Sequence, residues 1–597
     1  MSIISCAGHK EKTLSEKELI EKNSKEFNEY LESKFNEEMK MYPPYQTYLG
    51  MKTDYDKLND FSEDFFKKQI EMSKKTLEEL EKYKKLKLNH QSSLSLKLLE
   101  QNLENEIADK KWHYYGYPVN QMFGFQSEIP AFLINMHTID NKKQAQDYIS
   151  RLKEIERVFK EKIVFMKKQE AMGIVAPDFV FPKVLDDAAN VIKGKPFDNS
   201  KKLSTLLDDF TKKVSKLKLS KKEKDILIKS AQDALLKYVK PSYENLIGYL
   251  EHLDSVTNKS LGVWSLPKGK EYYAVRLKRI TTTDMSAEEI HQLGLKEVER
   301  IHNEMRQIMK KVDFKGSLQD FFKFMKTSPR FRYPNTEQGR KMYLKETRKI
   351  IANMKKSLPK MFNTFPKAEL VVKPVEKFRE KSAGIAFYNG PSLYGNRPGK
   401  YYVNLYKMED VSKYEMEALA YHEALPGHHM QIAIATELEG IPKFRKLGGY
   451  TAYSEGWGLY SELLPKEFGF YKDPYSDFGR LSMELWRACR LVVDTGIHYY
   501  KWSRDKSIKY LTDNTPNAEL EIEKGVERYF VMPAQATAYK VGMLKILQLR
   551  WKAKMLLKNN FDIKAFHDVI LKDGAVPLNI LEEKVDSWTQ KLLEAEN

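Results

Sequence analysis

The sequence predicts a mainly α-helical, bilobed fold with one small β-sheet. Long segments place Leu, Ile and Phe near a 3.6-residue period, with Lys and Glu on the opposite face. Helix-start signals recur along the chain. Strand signals are few and short. In chain order, helices are expected over 14–40, 61–86, 92–110, 143–171, 200–218 and 221–253. Ser220 stands at the start of the last run. Ser286-Ala287-Glu288-Glu289 reads as a capping box, in which hydroxyl and carboxylate each satisfy an orphan backbone donor. Pro and Gly punctuate the chain near 43–50, 173–182, 195, 265–269 and 389–399. Strands are expected at 271–277 and 368–373, each short and rich in β-branched or aromatic residues. A strand, loop and strand are expected across 385–405, where an edge could hold an extended chain.

The 597 residues are 42% hydrophobic and 12% aromatic, which supplies a sizeable core and excludes a disordered class. A boundary near 260–268 divides an N-terminal helical lobe, 25–265, from a second helical lobe, 266–597. The net charge of +18 comes mainly from lysines spread along helical segments. That spread reads as a solvated surface that attracts acidic ligands or anionic surfaces. No RNA- or DNA-binding motif accompanies it, so nucleic acid is not an expected partner. Two cysteines, Cys6 and Cys489, cannot build a disulfide framework. No stretch approaches the roughly 20 apolar residues of a membrane span. Residues 1–24 read as a leader or linker. Within them Ile3-Ile4-Ser5-Cys6-Ala7-Gly8 resembles a bacterial lipoprotein cleavage box, although only five residues precede Cys6. The box predicts a lipid anchor at Cys6 and a cell-envelope location, with a cytoplasmic location as the alternative.

The densest chemistry lies in Tyr421-His422-Glu423-Ala424-Leu425-Pro426-Gly427-His428-His429. Three of the chain's 12 histidines fall within eight residues. Two imidazoles and a carboxylate in one or two helical turns are how zinc hydrolases set nitrogen ligands and a general base around a metal. The spacing is unusual. In a zinc helix the histidines stand four apart, about 40° of rotation. His428 is six after His422, about 240° around an ideal helix, and His429 returns to the face only roughly 10 Å further along. Pro426 clashes with the carbonyl of His422 and Gly427 tolerates unusual dihedrals, so a kink or bulge is expected there. The spacing alone leaves His428 and His429 both open, and a Pro-Gly helix break with surface histidines is the bland alternative. Glu423 is the expected general base. Glu455, 27 residues after His428, is the expected acidic ligand. Glu462 lies seven residues on, on the same face, where it would orient a histidine or stand as an ordinary exposed acid.

A second polar stripe runs through Arg487, Arg490, Asp494 and His498, at three- and four-residue spacing on an apolar helix. It reads as a site wall, with His498 placed to stabilise an oxyanion. A buried Arg490–Asp494 ion pair is the alternative.

These residues carry a resemblance. His422-Glu423-x-x-Pro426-Gly427-His428-x-x-Gln431 and Glu455-Gly456-Trp457-x-x-Tyr460 are similar to the paired motifs of the domain-of-unknown-function 885 family, grouped with gluzincin-type metallopeptidases. Arg490 through His498 resembles its third block, and Arg528-Tyr529 through Pro533-x-Gln535 to Tyr539-Lys540-x-Gly542 its fourth. Gly262-x-x-x-Leu266-Pro267-x-Gly269-x-x-Tyr272-Tyr273 and Gln121-Met122-Phe123-Gly124 also agree, so the likeness covers roughly 25–595. One departure is Ala534, where the family usually has Gly. The resemblance implies a cleft-bearing helical fold similar to M32- and M3-type peptidases. It implies one zinc ion held by His422, His428 and Glu455, with Glu423 as base. The expected activity is hydrolysis of short peptides by metal-activated water, with Tyr539 and His498 on the oxyanion. Arg490, Arg528, Arg397 and Gln535 are expected to bind substrate. An arginine on a substrate carboxylate would favour exopeptidase or dipeptidase action. The alternatives are a metal-dependent amide hydrolase of a non-peptide substrate, and a non-catalytic binding protein with a vestigial site.

Overall fold

The computed structural model describes residues 14–257, 261–375, 380, 384–393 and 397–596. Cys6 and its lipoprotein-like box lie outside the described residues. The periodic segments fold as helices Glu16–Met39, Glu63–Lys84, His90–Asp109, Lys142–Ala171 and Thr205–Ser215. Ser15, Ser220 and Ser286 each close a capping box, with Glu18, Glu223 and Glu289. The 221–253 segment is one helical run in three parts. Lys221–Ala234 and Lys240–Val256 flank a π-helical turn, Leu235–Val239. The π turn leads into Pro241, whose ring cannot share an α turn with the carbonyl four residues back.

The strand expected at 271–277 is instead part of helix Gly269–Thr281. Tyr273, Leu277 and Thr281 are buried at four-residue steps, so a helical stripe faces the core. The aromatic, β-branched composition that suggested a strand describes only a fit to a half-buried surface, and tertiary packing decided otherwise.

The other two strand expectations hold. β1 (Leu370–Pro374), β2 (Ala386–Asn389) and β3 (Gly399–Val403) form one sheet in the order β1-β3-β2. β3 is central, parallel to β1 with Leu370 opposite Gly399, and antiparallel to β2 with Ala386 opposite Val403.

Seven helices position the site. They are α1 (Ala287–Lys311), α2 (Met416–Glu423), α3 (His428–Glu437), α4 (Thr451–Glu467), α5 (Pro474–His498), α6 (Glu519–Val531) and α7 (Ala538–Leu557). One hydrophobic core surrounds them and the sheet, through Tyr401, Val403, Tyr421, Trp457 and Tyr460. It also takes Leu94, Leu98, Trp112 and Tyr115 from the N-terminal half. A second core, around Phe159, Phe210 and Tyr243, belongs almost wholly to the N-terminal helices. A third joins α1 to α5 through Ile301, Met305, Leu485 and Val493.

Beneath the site α1, α5 and α7 share a buried charge cluster. Lys540 is fully buried and bridges Glu484 at 2.5 Å and Glu297 at 2.9 Å. Arg480 meets Glu484 at 3.0 Å, and Arg300 reaches both Glu484 and Glu297. Burial works against the Glu484 carboxylate, but Lys540, Arg300 and Arg480 hold it well below the usual carboxylate range. Removing one member strands the others without solvent. Lys540→Ala should therefore destabilise the fold by about 3–5 kcal/mol in chemical denaturation, far more than loss of an exposed pair.

Candidate metal centre

The chain does not rewind between His422 and His428. It stops being helical and starts again. α2 ends at Glu423, Ala424 takes φ −105° and ψ −102°, and α3 restarts at His428 after Gly427 at φ −75° and ψ −131°. Pro426 ends the first helix, as its ring requires. Gly427 then passes so close to α2 that a Cβ there would sit 1.9 Å from the His422 carbonyl oxygen. The indole N–H of Trp457 donates to the Pro426 carbonyl at 2.9 Å and ties this turn to α4.

The break reorients the second histidine. His422 Nε2 and His428 Nε2 lie 3.7 and 3.6 Å from the same Glu455 carboxylate oxygen. All three ligand atoms fall within 4.8 Å of one another. Two imidazole nitrogens and a carboxylate oxygen around one point suit zinc by donor type and number. His422 Nδ1 donates to Glu462 at 2.7 Å, which turns Nε2 toward Glu455. Glu462 is buried, not an exposed helix acid. Gly458 makes room for the His422 ring, because a Cβ there would lie 2.7 Å from it. Burial opposes charge on His422, yet Glu455 and Glu462 raise its pKa to about 10. Glu423 is buried beside these groups, and that burial raises its carboxyl pKa against the pull of His422 and His428.

His429 points elsewhere. It accepts from the Tyr388 hydroxyl at 2.9 Å and donates to the Ala368 carbonyl at 3.2 Å, joining α3 to the sheet.

The family model for "Bacterial protein of unknown function (DUF885)" matches residues 43–585. The chain belongs to this family. No curated protein matches it. A crystal structure of a "putative lipoprotein" from Colwellia psychrerythraea is similar at TM-score 0.86 and 29% identity, over 97% of this chain and 100% of that one. A "putative lipoprotein of unknown function" from Shewanella oneidensis shares the fold at TM-score 0.72 and 18% identity, over 96% of this chain and 99% of that one.

In this DUF885 member the wall beside the ligands comes from α5, α6 and α7. Arg490 donates to the Tyr529 hydroxyl at 3.2 Å and lies over the Tyr539 ring at 4.6 Å. Arg528 donates to Gln535 at 2.7 Å and reaches the Tyr539 hydroxyl at 3.5 Å. Arg487 also approaches the Tyr539 ring, at 5.9 Å. The sequence places Arg487 on this face but gives it no role. Its charge acts on Glu423, as the charge of Arg490 acts on Glu455.

His498, an expected site residue, has no nitrogen free for this group. His498 accepts from the Val263 N–H at 3.1 Å and donates to the Tyr529 carbonyl at 2.8 Å, so both ring nitrogens are used by backbone. Its burial lowers its pKa to about 4, and it has no hydrogen left for an oxyanion. Arg397 is exposed between β2 and β3, where its backbone exchanges hydrogen bonds with Ser392.

The alternative Arg490–Asp494 ion pair does not form either. Asp494 accepts from the Tyr273 hydroxyl at 2.6 Å and from the Ala534 N–H at 3.1 Å. Ala534 has φ +71°, the left-handed region that a glycine occupies without strain. The family's usual glycine therefore has a backbone reason.

A zinc ion placed at these three residues would be held about 10- to 100-fold less tightly in Glu462→Gln, which should retain the fold, as read by competition with a chelator. Burial raises the Asp494 carboxyl to about 7, against the hydrogen bonds from Tyr273 and Ala534. The native state then binds more protons than the unfolded chain between about pH 4 and that value. The wild type should lose stability relative to Asp494→Asn as pH rises through this window, measured by denaturant midpoints.

Proposed function

We propose that this protein is a zinc-dependent hydrolase of short peptides, of the gluzincin type. The observation that carries the reading is the convergence of His422, His428 and Glu455, with the Glu423 carboxylate buried beside them. A zinc ion held there would polarise a carbonyl and lower the pKa of water. Glu423 is the general base: it takes a proton from the attacking water and returns it to the leaving nitrogen. The Tyr539 phenol, held between Arg490 and Arg528, donates to the developing oxyanion. Glu462 keeps His422 in one tautomer. The box at Cys6 and the description of the two structural relatives as lipoproteins support a lipid-anchored protein of the cell envelope.

Glu423→Gln should retain one zinc per chain by elemental mass spectrometry and lose about 10²- to 10⁴-fold in peptide turnover. Zinc should be lost in His428→Ala and kept in His429→Ala. Unchanged turnover in Glu423→Gln would remove that residue from the mechanism. A zinc-loaded wild type that cleaves a non-peptide amide but no peptide would move the reading to an amide hydrolase. Failure to bind any metal would leave a binding protein.

A further inference from the structure

Three arginines at the wall lack the carboxylates that hold the buried arginine below them. Arg480 is 1% exposed and pairs with Asp477 at 2.9 Å and Glu484 at 3.0 Å. Among the described residues, none of Arg487, Arg490 and Arg528 has a carboxylate within ion-pair distance. Arg490 is the most enclosed, at 9% exposure. Its Nε is used by Tyr529, yet Nη1 is buried with no hydrogen-bond partner. Nε of Arg487 and Nε of Arg528 are likewise buried and unpartnered. All three side chains meet at Tyr539. Glu415, Glu423, Glu455 and Glu521 lie within electrostatic reach of these arginines, but among the described residues none of them hydrogen-bonds the unpartnered nitrogens. Glu521 accepts from Asn517 at 3.0 Å, Glu415 from Ser412 at 2.6 Å and Ser482 at 3.2 Å, and Glu455 faces the two histidines.

A buried guanidinium nitrogen with no hydrogen-bond partner is costly unless an anion completes it. Their planar forks match a carboxylate, which takes two parallel N–H bonds. We propose that Arg490, flanked by Arg487 and Arg528 around Tyr539, docks the C-terminal carboxylate of a peptide substrate. The proposal rests on the peptidase reading and narrows it to chains cut near their C-terminal end. The set differs from the sequence expectation, because Arg487 enters it and Arg397 leaves it.

The test uses a matched pair of probes: an N-acetylated tripeptide with a free C-terminal carboxylate, and the same peptide as its carboxamide. Turnover is measured on the zinc-loaded wild type. Binding is measured by calorimetry on zinc-loaded Glu423→Gln. The carboxylate should be favoured about 10- to 100-fold in kcat/KM and in affinity, the size of a hydrogen-bonded charge pair. That ratio should fall toward one in Arg490→Gln. Arg528→Gln, at a half-buried position, should lower it too and serves if Arg490→Gln does not fold. Equal binding and turnover of the two probes overturns the subsite and leaves the peptidase reading standing. Carboxylate-selective binding with no hydrolysis of either probe keeps the subsite and overturns the peptidase reading. No binding of either probe overturns the subsite.

Discussion

The site depends on the break in the backbone between His422 and His428. A continuous helix would aim these imidazoles about 240° apart. Pro426 ends α2, and Gly427 turns the chain across the His422 carbonyl at a distance no side chain allows. The Trp457 indole then holds the Pro426 carbonyl. That last bond joins the two motifs in space. Trp457 lies two residues after Glu455, so the group that pins the turn also sets the helix bearing the acidic ligand. The convergence of His422, His428 and Glu455 is therefore a product of two helix ends and one helix side, held by a hydrogen bond between them.

Around this break the protein separates two kinds of buried charge. Below, Lys540, Arg480 and Arg300 pair with Glu484, Glu297, Asp477 and Glu304. Above, Glu423 and the three arginines at Tyr539 are enclosed but not paired with each other. A buried matched pair tends to break even against its desolvation cost, so its value lies in fixing how α1, α5 and α7 sit. An unmatched group keeps its reactivity. The same helix, α5, contributes to both layers: Arg480 and Glu484 face inward, and Arg487 and Arg490, on later turns, face the site.

The roles misplaced along α5 share one cause. Residue spacing reports which groups share a face, not what stands opposite that face. Arg490, Asp494 and His498 do follow one another along α5. Yet Asp494 meets Tyr273 and Ala534, and His498 meets Val263 and Tyr529, all from distant parts of the chain. Glu462 shows the opposite outcome. Its seven-residue offset from Glu455 suggested a carboxylate that orients a histidine, and the Nδ1 of His422 stands across from it. At 271–277 an aromatic and β-branched composition outweighed a four-residue burial pattern that was already in the sequence.

The sequence by itself determined the mainly helical class, the capped helix starts, the sheet at 368–405, the motif residues and the family. These depend on local periodicity, backbone chemistry and short-range spacing, all written in consecutive residues. Only the tertiary structure decided that His428 and not His429 faces Glu455, that His498 serves the backbone, and that Arg487 joins Arg490 and Arg528. Those outcomes depend on contacts between residues tens to hundreds of positions apart. Such contacts set which nitrogen of a ring is free and which charge has a partner, and no local pattern carries that information.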